Sequence, residues 1–163
     1  MPKTEQFKRR IYHRLGDIFT DELDISSHRK QIKRLMNGDV ISEAFRERIM
    51  LTVTEVNGCR YCQYAHAKMA LKSGLSEDEI NELSSGTFHN CPPEEVPALL
   101  YAQHWAENNG IPDLEVRQEI INTYGQEKAE LLELAMKMIR MGNLLGNTWD
   151  YILFKISFGK LGM

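Results

Sequence analysis

Apolar residues in this chain return every three or four positions, and each run is closed by a short stopping pair, a rhythm that suits packed helices and little else. Phe7, Ile11, Leu15 and Ile18/Phe19 mark one face of a first helix. A second, short helix capped by Asp24 or Ser26 carries Ile32, Leu35 and Met36 to Asn37-Gly38. From Ser42 a stronger helix sets Phe45, Ile49, Val53 and Val56 on one stripe and should end at Asn57-Gly58. Inside it, Thr52-Val53-Thr54-Glu55-Val56 is β-branched enough for a strand, but the longer four-residue repeat favours helix.

The pattern continues. A helix is expected from about Cys59 to Lys72, closed by Ser73-Gly74, and Ser76-Glu77-Asp78-Glu79 matches a capping box. His89-Asn90-Cys91-Pro92-Pro93 reads as a loop, with Pro93 in the first turn of a helix that carries Ala98, Leu99, Ala102 and Trp105 to Asn109-Gly110. Pro112-Asp113 opens a short helix ending near Tyr124-Gly125. Residues 127–141 are apolar on more than one face, as in a helix buried within a bundle; Gly142 and Gly146 should interrupt it before a last helix from Thr148 to about Phe158. Seven or eight helices without a convincing strand pair make an all-α bundle, and no repeat or linker divides residues 1–163 into more than one domain.

Composition narrows the possible functions. With 42% hydrophobic and 26% charged residues, a chain of 163 can build its core without metal or disulfide support. A net charge of -3 gives it no electrostatic reason to seek nucleic acid or an anionic membrane. The charge is uneven: residues 1–34 hold nine Lys/Arg and five Asp/Glu, so a basic front precedes an acidic body. That front suits a solvated helix face, or an arm lying on an acidic neighbouring subunit, better than a lipid or RNA arm. No secretory signal pattern opens these residues, and no apolar run reaches the roughly 18 residues of a spanning helix, so the expected setting is cytoplasmic. Three cysteines are the wrong number for a secreted disulfide framework, and paired cysteines in a reducing compartment are catalytic or metal-binding more often than structural.

The chemistry concentrates in Cys59-Arg60-Tyr61-Cys62-Gln63-Tyr64-Ala65-His66, a C-x-x-C-x-x-x-H pattern at a helix start. Cysteines three apart lie one turn apart, close enough for a disulfide, and His66 falls on the same face as Cys62. A free thiol with a pKa of about 8.5 is mostly protonated at neutral pH, so a reactive one needs help. The helix N-terminus, Arg60 and His66 could each supply it. Glu47 is the natural carboxylate to orient His66 if the helix from Ser42 packs antiparallel against the one from Cys59.

These residues resemble the alkylhydroperoxidase D and carboxymuconolactone decarboxylase superfamily: Glu47-Arg48 near the start of an apolar helix, twelve residues from Glu47 to Cys59, then the cysteine motif and the alanines Ala65, Ala67 and Ala70. The resemblance is firm over residues 42–75 and implies an alkylhydroperoxidase D-like core over 42–163 behind an N-terminal helical extension over 1–41. It also implies a homotrimer or homohexamer with a redox-active disulfide, reducing a small hydroperoxide at the expense of an external dithiol or thioredoxin-like reductant, with no cofactor. By position, Cys62 is the peroxidatic thiol, Cys59 its resolving partner, and Glu47 and His66 the proton relay. The helix end alone would favour Cys59 as the more acidic sulfur, whereas the nearness of His66 favours Cys62. Peroxidases of the family carry a second histidine just before the second cysteine; Tyr61 stands there in this chain and is expected to line the substrate pocket.

Two other readings compete. Cys59, Cys62 and His66 joined by Cys91 or His89 would make a zinc site in a non-catalytic helical module. A decarboxylase or lactone-acting enzyme of the same superfamily would need no thiol. Cys91 is otherwise expected to be an uninvolved thiol, His13, His28, His89 and His104 share no spacing that suggests a site, and Met136, Met138 and Met141 read as core filler.

Overall fold

The computed structural model describes residues 7–162, and the first six residues of the expected extension lie outside them. The described residues form eight helices and no strand: α1 (Leu15–Ser27), α2 (Arg29–Asn37), α3 (Glu43–Asn57), α4 (Arg60–Lys72), α5 (Glu77–Leu83), α6 (Val96–Glu107), α7 (Leu114–Tyr124) and α8 (Gln126–Ile156). The all-α expectation holds, including the choice of helix over strand for Thr52–Val56.

α3 is the axis of the fold. It packs on α4, α5, α6 and α8, and eleven of its fifteen residues are buried. Its start and stop follow local chemistry: Ser42 Oγ accepts from Phe45 N–H, and Gly58 closes the helix in the left-handed region at φ 73°, its N–H donating to Thr54 and Glu55 carbonyls. Around it, Leu35, Ile41, Ile49, Leu51, Val53, Leu99, Leu132 and Met136 are sealed from solvent. Three of the buried α3 side chains, Arg46, Glu47 and Arg48, are charged, which an apolar interior tolerates only when they are paired. Arg48 meets Glu79 of α5 and, at 2.9 Å, Glu95 before α6. Glu79 therefore completes only half of the expected capping box: Ser76 Oγ accepts its N–H, but its carboxylate turns to Arg48.

Three expectations are corrected. No helix begins at Phe7. Residues 7–14 are non-helical and lie along α8, because their backbone is bonded elsewhere: Tyr12 N–H donates to Thr148 Oγ1 at 2.9 Å and Arg10 N–H to Asn57 O at 3.3 Å, while Phe7 packs edge-on to Tyr151. Neither Asp24 nor Ser26 caps α2, since α1 runs through both and gives way at His28. Pro93 lies in a turn ahead of α6, whose first turn instead holds Pro97. A fourth difference is larger: Gly142 and Gly146 do not interrupt the chain, and α8 is one helix of 31 residues. No helix of the described residues is long and apolar enough to cross a membrane.

Candidate active site

The tight link between α3 and α4 presents the cysteines. Gly58 takes the positive φ that ends α3, and the next residue, Cys59, is already the N-cap of α4. Its Sγ accepts from the Cys62 N–H at 3.4 Å, so the sulfur occupies the place a capping oxygen would take, at the positive end of the helix. One turn on, Cys62 is joined to it as a disulfide across a Cα separation of 5.3 Å. Both sulfurs are buried, but unequally in kind: Cys62 lines a cavity of about 320 Å3, and Cys59 does not.

The α3–α4 hairpin brings Glu47 and His66 together. His66 Nδ1 lies 2.7 Å from Glu47 Oε2. A carboxylate only accepts, so Nδ1 carries the proton and Nε2 is left as the basic nitrogen. Glu47 is 1% exposed, and its other oxygen is 3.5 Å from the Arg46 guanidinium, which also reaches the Leu35 and Met36 carbonyls at the end of α2. Glu47, His66, Arg46 and Cys62 share the same cavity wall; Met36, Met50, Met69, Met138 and Ile139 make most of the rest apolar. A larger groove of about 1370 Å3 follows the N-terminal arm past Arg10, His13, Arg140 and Lys155, and its lining holds neither a cysteine nor this carboxylate–imidazole pair.

α8 supplies the floor. A Cβ at Gly146 would stand 3.2 Å from Cys59 Sγ and 3.9 Å from Cys62 Sγ, so the missing side chain is what lets the helix pass directly beneath the disulfide. On either side, buried amides lock the turn to α8. Asn57 Nδ2 donates to Asn143 Oδ1 at 3.1 Å, Asn143 Nδ2 to Thr54 Oγ1 at 3.1 Å, and Asn147 Nδ2 to the carbonyls of Asn57 and Arg10 at 2.8 and 2.9 Å.

Cys62, Cys59, His66 and Glu47 are thus brought together as their spacing suggested. Tyr61 also lines the cavity, but its side chain is largely in solvent. Arg60 pairs with Asp150, at 3.7 Å. Cys91 sits elsewhere, buried in the field of Glu79, Arg48, Glu82 and Glu95; burial, then Glu79, pushes its thiol up to about 12. Among the described residues no three His, Cys, Asp or Glu side chains converge to hold a metal, so the donor set of the zinc reading is not assembled. Sequence reasoning missed Arg46, Asn57, Asn143, Asn147 and Gly146. Arg46 looked like any helix charge and Asn57 like a stop signal. The clue available was polar density, since Arg46, Glu47, Arg48, Thr52 and Thr54 cluster on a helix whose apolar positions already demand burial.

The family model of the carboxymuconolactone decarboxylases matches residues 27–108, just over half of the chain. Among curated proteins and among solved structures, none matches.

Proposed function

The chain belongs to the carboxymuconolactone decarboxylase family, and from that membership together with its cysteine pair we propose that it is a thiol-dependent oxidoreductase reducing small hydroperoxides. The observation that carries the reading is the 2.7 Å contact between Glu47 and His66 on the wall of a cavity that Cys62, and not Cys59, lines.

In the reduced enzyme, His66 Nε2 takes the Cys62 proton while Glu47 holds the imidazole in that tautomer. The Cys62 thiolate attacks one peroxide oxygen; the O–O bond breaks, and the leaving alkoxide recovers the proton as an alcohol. Cys62 is left as a sulfenic acid. Cys59 condenses with it, water leaves, and the disulfide forms. An external dithiol or thioredoxin-like reductant then attacks Cys62 from the cavity side and releases Cys59 as a thiolate. The capping position of Cys59 makes it the better leaving group, because positive helix-end charge and the Cys62 N–H favour its anionic form. The two sulfurs therefore divide the work, Cys62 as nucleophile and Cys59 as resolving and leaving group. Tyr61, at the cavity rim, contacts substrate in this reading. The working unit is a homotrimer or homohexamer, a state that suits the exposed apolar side chains Leu15, Phe19 and Leu23 on one face of α1 and Trp149, Ile152 and Ile156 on α8.

Peroxide consumption driven by a dithiol tests the proposal directly, with wild type beside Cys62→Ser and His66→Gln. Wild type should turn over, Cys62→Ser should be inert, and His66→Gln should be slowed by roughly 10²–10⁴-fold. Equal activity in wild type and Cys62→Ser would defeat the redox reading, and lactone turnover that survives loss of both cysteines would favour the lactone-acting alternative.

A further inference from the structure

Sulfur crowds this cavity beyond the two cysteines. The described residues include six methionines, and four of them, Met36, Met50, Met69 and Met138, line the space that Cys62 and His66 face. Each comes from a different helix, α2, α3, α4 and α8 in turn, so the convergence is a property of the tertiary fold and not of one repetitive segment. A thioether is soft and polarizable, and unlike a thiol it needs no deprotonation before it attacks. With Cys59 and Cys62 joined, no thiolate faces the cavity, and a hydroperoxide entering it meets these four thioethers as the remaining soft nucleophiles.

We infer that Met36, Met50, Met69 and Met138 are a modification site, oxidised to methionine sulfoxide by hydroperoxide held in the cavity of the disulfide form. The inference takes its oxidant from the peroxide reading above. A sulfur lone pair attacks one peroxide oxygen, the O–O bond breaks, and the departing alkoxide takes the proton carried on the transferred oxygen. The thioether loses two electrons and the hydroperoxide becomes an alcohol. The product is polar and chiral where the wall was apolar, and it is reversible by sulfoxide reduction. Whenever the disulfide outlives the supply of reductant, the cavity loses its affinity for apolar peroxides, and turnover becomes tied to the reducing power available.

The fold contains its own controls. Met50 and Met136 are both buried, at 5% and 0% exposure, but only Met50 lines the cavity; Met138 and Met141 are both partly buried, and only Met138 lines it. The disulfide form is incubated with tert-butyl hydroperoxide without reductant, and sulfoxide is located over time by peptide mass spectrometry. Met50 should oxidise ahead of Met141, which is more exposed but does not line the cavity, and Met138 ahead of Met141, by roughly tenfold or more, the advantage of a held over a free reactant; in denaturant all should react alike. Sulfoxide that follows solvent exposure alone, or that spares Met50 and Met138, overturns the inference. The two proposals fail separately: sulfoxide at the lining methionines without dithiol-driven turnover sinks the peroxidase reading, and turnover with an untouched lining sinks this one.

Discussion

Glu47, the anchor of the proposed chemistry, is 1% exposed, with His66 on one oxygen and Arg46 near the other. Glu47→Gln keeps the shape but can present its amide N–H₂ to Nδ1, which selects the opposite tautomer and turns the basic nitrogen away from the cavity. Peroxide turnover should fall by about 10–100-fold, by analogy with other orienting partners of histidine, while Arg46 is left beside a neutral group; kcat/KM against pH, measured for both proteins, checks it. Cys91 is the opposite case, a buried thiol outside the cavity that Cys62 lines. Its value of about 12 means that the folded protein keeps a proton that an unfolded chain gives up near an ordinary thiol value of about 8.5. The stability it contributes is complete below that lower value and is lost as pH rises toward the higher one. Native protein should resist alkylation at Cys91 at about pH 9 and react there once unfolded, and Cys91→Ala should flatten the alkaline fall in urea midpoints. The convergence of the four candidate residues was legible because their spacing is one-dimensional, set by turns of a single helix and one hairpin. Arg46, Asn143 and Asn147 were not, since, apart from the Arg46–Glu47 neighbour pair, their partners lie 10 to 137 positions away and no local pattern announces them.

At the level of elements, the helices with strong start and stop chemistry were read nearly to the residue: α3 between Ser42 and Gly58, α5 after Ser76, α7 after Asp113. The errors arose where tertiary contacts override local preference. The apolar repeat from Phe7 is satisfied by packing an extended arm on α8, and the two glycines of α8 are tolerated because burial on both sides holds the helix together. Those glycines are not equivalent. At Gly142 a Cβ would meet nothing within 4 Å, so Gly142→Ala should stabilise the protein by about 0.5–1 kcal/mol through backbone entropy alone. At Gly146 the same Cβ would press on Cys59 Sγ, a buried, cross-linked capping atom with little freedom to retreat, and overpacking of this kind costs about 1–3 kcal/mol. Thermal melts of the two variants in the disulfide form should therefore move in opposite directions.

Across the whole molecule, apolar exposure is concentrated on helices at the periphery. α1 buries none of its residues, and Leu15, Phe19 and Leu23 repeat at four-residue intervals with at least two-thirds of each in solvent. That is a stripe built like a core face without a core beneath it. On the proposed assembly, light scattering should give a mass near a multiple of three chains, and Phe19→Asp with Leu23→Asp should lower it; a monodisperse single chain in the unmodified protein would dispose of the oligomer. The arm before α1 reaches the other way, inward. Asn147 grips the Arg10 carbonyl and the Asn57 carbonyl with one amide, and Arg10 N–H returns to Asn57. The N-terminal arm is thereby stitched to the turn that holds up the cysteines. A single proteolytic nick after Arg14 would leave Cys59, Cys62, His66 and Glu47 in place and yet slacken that stitch, so damage to an outlying strap would register as a change in how readily the sulfurs part.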